Sequence, residues 1–250
     1  MEKYKILVEF QFGFRQDHST ILALTEITDT IKNLLDNRNY VLGLFIDLSK
    51  AFDTVDHSIL LYKLSHYGIR GHANKLFKSY QTERKQYTYI NNEKSTTRGI
   101  SCAVPLGSAL GPALFLIYIN DLSNAVGENI ARLFADDTGL FTHGKNLKTL
   151  IDESKIIYRR LFKLCLCNRL TINFSKTCII VFCTKNKRVP NDLKDIKIDE
   201  ITIHRAEGIK YLGLYMDEHL TWNQHIKLLC RSLVTYFGII KKLRDIAILD

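Results

Sequence analysis

The chain is predicted to fold as an α+β domain, an antiparallel sheet backed by helices on one face, and three observations lead to that class. Apolar runs of about six residues bounded by turn formers, which read as buried strands, are interspersed with longer segments whose apolar residues recur at the helical period. These come in the order strand, helices, hairpin, helix, strand. The 250 residues are 46% hydrophobic and 24% charged, a balance that builds a core and argues against disorder.

Ser19 or Thr20 starts a helix over 19–37, with apolar positions Ile21, Leu24, Ile27, Ile31, Leu34 and Leu35 at helical spacing. Val41-Leu42-Gly43-Leu44-Phe45-Ile46 follows as a strand that ends at Asp47. Residues 58–67 and 72–81 read as two helices separated by Gly68-Ile69-Arg70-Gly71, and Gln86 to Asn91 as a strand on the alternation of Tyr87 and Tyr89. A loop at 99–108 leads into a helix from Ser108 or Pro112 to Leu122, and a hairpin over 131–142 presents Asp136-Asp137. A long helix over 147–168 precedes a strand from Cys178 to Cys183. Thr184 to Asp195 is polar and contains Pro190, so it is a loop or the tip of an insertion. Strands around 196–203 and 209–215 and a basic helix from Trp222 to about Arg244 complete the order.

A formal net charge of +9 suits an anionic partner such as nucleic acid, although a merely solvated basic surface explains charge alone equally well. The first residues lack the apolar core of a signal peptide. The longest apolar run, Ala113 to Ile119, is too short to span a bilayer, so no membrane role is expected. Cys102, Cys165, Cys167, Cys178, Cys183 and Cys230 are expected to be reduced thiols. Their spacing lacks the paired two-residue gaps of common zinc sites, and core packing explains them better. His57, His66, His219 and His225 show no metal-ligand pairing and read as surface or packing residues.

Three aspartates stand out. Asp47 ends the apolar strand, and Asp136-Asp137 lie between Leu133-Phe134-Ala135 and Gly139-Leu140-Phe141. A buried strand should not end in uncompensated charge. A hard cation compensates it: Mg2+ takes a few carboxylates and leaves its other positions to water and phosphates, and a metal pair clamps both oxygens of a phosphoryl transfer. The alternative is a plain hairpin turn, for which Asp-Asp-Thr is good chemistry. For the dipeptide taken alone, that alternative is the better one.

The wider context changes the balance. Asp47-Leu48-Ser49-Lys50-Ala51-Phe52-Asp53 is succeeded by Val104-Pro105-Leu106-Gly107-Ser108-Ala109-Leu110-Gly111-Pro112, then by Phe134-Ala135-Asp136-Asp137-Thr138. In that order the blocks resemble the polymerase signatures of reverse transcriptases, most closely those of non-LTR retrotransposons of the jockey and CR1 type. Gln11-Phe12-Gly13-Phe14-Arg15 upstream continues the resemblance. So do Asn168 to Asn173 with Lys176-Thr177, Lys210-Tyr211-Leu212-Gly213, and Leu220-Thr221-Trp222 downstream.

The resemblance implies a right-hand polymerase palm over 41–219, with partial fingers over 1–40 and the beginning of a thumb over 220–250. It implies RNA-directed DNA polymerisation as the activity, adding deoxynucleotides to a primer 3′-hydroxyl through two Mg2+ ions, replaceable by Mn2+. By the same resemblance Asp47 and Asp136 are the main ligands, Asp137 is the third carboxylate, and the Leu48 carbonyl is a backbone ligand. Phe52, five residues after Asp47, would pack under the incoming sugar and exclude a 2′-hydroxyl; without the motif it reads as a core phenylalanine. Gly107, Ser108 and Gly111 resemble a loop and helix that lie against the nascent pair and template. Lys176 resembles a lysine near the nucleotide, a plain surface lysine being the alternative, and Lys210, Tyr211, Leu212 and Gly213 resemble a hairpin that supports the primer end. Lys227, Arg231, Lys241, Lys242 and Arg244 could track a duplex backbone, though such charges are often just a solvated face. The implied partners are an RNA template, a DNA primer and deoxynucleoside triphosphates, and the implied place of action is intracellular, in the nucleus.

Departures from the family pattern suggest a second expectation. Leu106 stands where the family has glutamine and cannot hydrogen-bond through its side chain. Leu164 stands where tryptophan is common. The family's fingers extend upstream of Gln11, and no endonuclease block is found. Together these suggest a fragment or a truncated, non-catalytic nucleic-acid-binding remnant.

Overall fold

A computed structural model of the chain describes residues 6–105, 107–127, 131–190 and 192–247. Helix α1 (Thr20–Asp36) begins at Ser19, whose hydroxyl accepts from Leu22 N, and leads into strand β1 (Tyr40–Ile46). Helix α2 (His57–His66) is capped by the Asp56 carboxylate, which accepts from Ser58 N and Ile59 N, and α3 (Gly71–Gln81) comes after it. Two small ladders come next: β2 (Lys85–Gln86) pairs with β5 (Arg98–Gly99), and β3 (Tyr89–Ile90) with β4 (Glu93–Lys94). Helices α4 (Gly111–Ile119) and α5 (Leu122–Val126) precede β6 (Ala131–Phe134) and β7 (Asp137–Gly144). The chain continues through α6 (Leu147–Cys167), β8 (Cys178–Phe182), β9 (Asp195–Ile198), β10 (Ile201–Arg205), β11 (Gly208–Tyr211), β12 (Leu214–Asp217) and α7 (Asn223–Ala247).

The central sheet has the order β6-β7-β1-β8-β10-β9. Its pairings are antiparallel except that of β10 with β8. Strand β1 lies in the middle, with six of its seven residues buried. The strand period sends Leu42, Leu44 and Ile46 into one core, with Leu60 and Leu64 of α2, Phe115 and Tyr118 of α4, and Tyr158 of α6. It sends Val41 and Phe45 into a second core, with Ile27, Ile31 and Leu35 of α1 and with Tyr211 and Met216 of the β11–β12 hairpin.

The helices therefore do not lie on one face only, contrary to the expectation from sequence. A strand that is apolar at every position needs cover on both sides, and α1 with the β11–β12 hairpin supplies the second. Three smaller expectations also change. The strand expected at Gln86–Asn91 splits between two ladders at Tyr87-Thr88, and it ends where Asn91 and Asn92 turn the chain at φ +49° and +64°. The helix expected to reach Leu122 stops at Ile119 and resumes as α5. Each of the late strands is one arm of a hairpin, β9–β10 and β11–β12. Among the described residues no helix is long and apolar enough to cross a membrane.

Candidate active site

The register of β6 against β7, which pairs Phe134 with Asp137, leaves a two-residue turn, Ala135-Asp136. Ala135 is buried and sits at φ +55°, a left-handed conformation that costs a non-glycine residue roughly 1–2 kcal/mol. The turn is held by a segment from near the start of the chain. Gln11 Oε1 accepts from Ala135 N at 3.1 Å and from Gly13 N at 2.9 Å. Phe12 N donates to Leu133 O at 2.7 Å and Leu133 N to Phe10 O at 2.9 Å, a short parallel strip on the free edge of β6. A Cβ on Gly13 would lie 2.4 Å from Ala135 N, so only glycine permits this approach. Sequence reasoning gave Gln11 no role. The available signals were an amide between Phe10 and Phe12 and its place at the head of the Gln11–Arg15 block.

The β1–β7 register ends with Ile46 opposite Thr138, and one further step sets Asp47 across from Asp137. The strand period puts both on the face of Phe45 and Phe141. Asp137 is exposed, yet its carboxyl holds its proton above the usual range, first because nearby atoms exclude solvent from it and then because of the charges of Asp136 and Asp47. The three carboxylates thus form one electrostatic group. Lys176 Nζ stands 3.9 Å from Asp47 Oδ2.

The strip after Asp47 pairs with residues 171–173: Asn173 N donates to Asp47 O and Ser49 N to Thr171 O, both at 2.8 Å. Leu48, opposite Ile172 in this bridge, buries its side chain and turns its own N–H and C=O away from the strip. Thr177 Oγ1 accepts from Asp47 N at 3.4 Å. Among the described residues no three histidine, cysteine, aspartate or glutamate side chains converge on a point that would by itself hold an ion. The donor set still fits a hard divalent cation, since it is anionic, made of oxygen, and open to ligands from water and phosphate.

Phe52 lies flat on Phe115, centroids 4.1 Å apart, and is half-buried. Its carbonyl accepts from Val104 N at 3.0 Å, which ties the 99–108 loop to the strip carrying Asp47. Ser108 Oγ donates to Pro105 O at 2.8 Å and accepts from Gly111 N at 2.9 Å. A Cβ on Gly111 would lie 2.6 Å from Pro105 O. These two residues close the turn that starts α4. Gly107, at φ +78°, faces open space, and Leu106 lies outside the described residues.

In the β11–β12 hairpin the turn residues Leu212 and Gly213 both have positive φ, 47° and 89°, the mark of a type I′ turn. Tyr211 is buried beneath the site. Its ring stands 5.1 Å from that of Phe45, and its hydroxyl donates to Asp137 O at 3.5 Å. Burial, then the charge of Asp137, holds the phenol protonated well above its ordinary range. Lys210 points outward. A recess of about 810 Å3 lined by Lys185, Arg188, His204 and Arg205 opens beside β8 and β10 and contains none of the three carboxylates. The carboxylates sit at the ends of the central strands β1 and β7, where Asp137 is exposed and Asp47 and Asp136 are half-buried, open to a long substrate.

A model of the family described as reverse transcriptase (RNA-dependent DNA polymerase) matches residues 1–216. The chain is 29% identical over 238 residues to the RNA-directed DNA polymerase from mobile element jockey of Drosophila melanogaster, covering 89% of the chain and 24% of that protein. It is 28% identical over 241 residues to the protein of the same name from Drosophila funebris, covering 94% and 26%. The chain spans about a quarter of the length of these relatives. Among solved structures it is similar to apo telomerase from Candida tropicalis truncated from its C-terminal domain, with a TM-score of 0.57 and 12% identity over 83% of this chain and 40% of that one. Telomerase of the same species in complex with a fragment of telomeric RNA gives a TM-score of 0.54 at 10% identity, over 82% and 32%. At such identities the likeness is one of fold.

Proposed function

Because the chain belongs to the reverse transcriptase family, we propose that it is the RNA-directed DNA polymerase domain of a jockey-like non-LTR retrotransposon. Members of this family bind nucleic acid and use divalent metal ions. For this chain the reading takes the ions to be two Mg2+, with Mn2+ as a substitute, and the partners to be an RNA template, a DNA primer and deoxynucleoside triphosphates. It assigns 1–40 to the fingers, 41–219 to the palm and 220–250 to the start of the thumb, and sets the action in the nucleus. The observation that carries it is the gathering of Asp47, Asp136 and Asp137 at one end of the sheet, where burial and then the charges of Asp136 and Asp47 raise the proton affinity of Asp137.

Each residue then has a task. Asp47 and Asp136 hold the cations, with Asp137 as third carboxylate and the Leu48 carbonyl as a neutral oxygen. A divalent cation held by these carboxylates would supply Lewis acidity, lowering the pKa of a primer 3′-hydroxyl and offsetting charge on the triphosphate and the leaving pyrophosphate. Lys176, 3.9 Å from Asp47, offsets one carboxylate charge and is within reach of a triphosphate. Phe52, braced by Phe115, has no room for a 2′-hydroxyl beside it. Gly107, Ser108 and Gly111 shape the loop against template and nascent pair, and Lys210 to Gly213 support the primer end from beneath Asp137.

Mg2+ should raise the melting temperature of the native chain, because a ligand bound only by the folded state stabilises it, and Asp136→Asn should remove most of that shift. Equal stabilisation of both proteins would overturn the carboxylate assignment. A second reading, a non-catalytic nucleic-acid-binding remnant, rests on Leu106 in place of the glutamine. Primer extension on an RNA template, with Asp136→Asn as control, separates the two: extension by the unchanged chain alone supports the polymerase, and binding without extension supports the remnant.

A further inference from the structure

Residues 11–15 present five positions in a row, and four of them are committed within the fold. Gln11 accepts from Ala135 N and Gly13 N. Phe12 is 3% exposed and packs on the His18 ring at 5.6 Å. Gly13 has no space for a side chain. The Arg15 guanidinium donates to the carbonyls of Val8 at 2.9 Å, Glu9 at 3.3 Å and Gln11 at 3.1 Å. Phe14 is the exception. It is 60% exposed, and its backbone sits at φ +53°, a region that bulky side chains disfavour.

Single exposed aromatics are ordinary on protein surfaces. This one combines exposure with a left-handed backbone that a bulky side chain disfavours, and its ring contact is the edge-on approach to Phe52. Strain of this kind persists where the surroundings impose it, and it clusters at functional sites. Here the imposing groups are the Gln11 clamp on one side and the Arg15 guanidinium on the other. They fix the chain on either side of Phe14, whose ring stands exposed.

Its position is specific. The Phe14 ring stands edge-on to Phe52, centroids 6.2 Å apart and planes at 89°, and Phe52 is itself fixed from below by Phe115 at 4.1 Å. Gly13, the preceding residue, abuts the turn that carries Asp136. An exposed, pre-ordered aromatic beside a phosphoryl-transfer site suits a flat heteroaromatic ligand, and stacking on one such ring strengthens binding by roughly 5- to 150-fold per base.

We propose that Phe14 is a stacking platform for a nucleobase at the polymerase site, from either the incoming nucleotide or the template strand. The proposal rests on the polymerase reading above and adds a base-binding residue to it. Two titrations with 2-aminopurine, whose fluorescence falls on stacking, tell the sources apart. One uses 2-aminopurine deoxynucleoside triphosphate with Ca2+ and a bound RNA template–DNA primer. The other carries 2-aminopurine at the templating position, with no triphosphate and no divalent ion. Phe14→Ala should lose the quench and bind roughly 5- to 150-fold more weakly in one of the two, while Phe14→Tyr keeps both.

Phe14→Gly, which relaxes the left-handed backbone, should melt no lower than the native chain. A large drop would make the ring a packing residue and overturn the proposal. Unchanged quench and affinity in Phe14→Ala would overturn it while leaving the polymerase reading intact. A native chain that binds no template–primer would overturn both.

Discussion

Gln11 is 1% exposed, and its side-chain oxygen is the acceptor for two backbone donors, Ala135 N and Gly13 N. Truncation to alanine leaves two enclosed N–H groups without a partner, and each such group costs about 1–3 kcal/mol. Gln11→Ala should therefore lower the melting temperature by several degrees, at about 2–4 °C per kcal/mol for a chain of this size. It should also weaken the response to Mg2+, since Asp136 rides on the same turn. An unchanged melt would show that the clamp bears nothing. Asp137 gives a pH signature of the opposite kind. Its raised pKa means that the folded state binds the proton more tightly than the unfolded state does. In metal-free protein this group therefore lowers stability as pH climbs from the ordinary aspartate value through the raised one. Asp56 and Asp217 are shifted down. At Asp56 burial is outweighed by hydrogen bonds from Ser58 and Ile59 and by the charge of Arg169, and at Asp217 by hydrogen bonds from Thr221 and His219. Their contribution to stability is lost as pH falls, so the quantity to read is the difference between Asp137→Asn and the native chain. The variant should gain in relative stability as pH rises through that window with chelator present. A difference independent of pH would mean that Asp137 does not feel its two neighbours.

At the scale of elements, β1 decides the layering. Leu44 faces the core of α2, α4 and α6, while Val41 and Phe45 of the same strand face α1 and the β11–β12 hairpin. Leu44 and Ile31 are both 0% exposed, and truncating a fully buried aliphatic side chain costs about 2–5 kcal/mol. Leu44→Ala and Ile31→Ala should each cost an amount in that range in urea unfolding. A loss below about 1 kcal/mol for Ile31→Ala would mean that α1 is not part of the cooperative fold. The sequence held this information, because a strand with no polar alternation is buried on both faces, but the expectation of one helical face passed over it. The converse holds at Gln86–Asn91. There the alternation of Tyr87 and Tyr89 looks like a half-buried strand, yet the two rings are 53% and 63% exposed, and Tyr87 instead takes the Lys94 ammonium over its face at 3.9 Å. Aromatic spacing alone does not tell a buried face from a solvated one.

For the molecule as a whole, local sequence sets what depends on near neighbours. The apolar run that becomes β1, the aspartate at its end, the paired aspartates at a hairpin turn and the order of the motifs were all legible, because strand period, helix caps and turn chemistry act within a few residues. Tertiary structure alone decided which of these parts meet. It set Asp47 across from Asp137, brought the amide of Gln11 to Ala135 and left Phe14 open beside Phe52. It also laid α1 on the second face of the sheet and Tyr211 beneath Asp137. The hydrophobic drive that assembles these layers has no direction of its own. Register and facing are chosen only when whole elements pack and their buried N–H and C=O groups must all find partners, and that choice is not written in any one stretch of the chain.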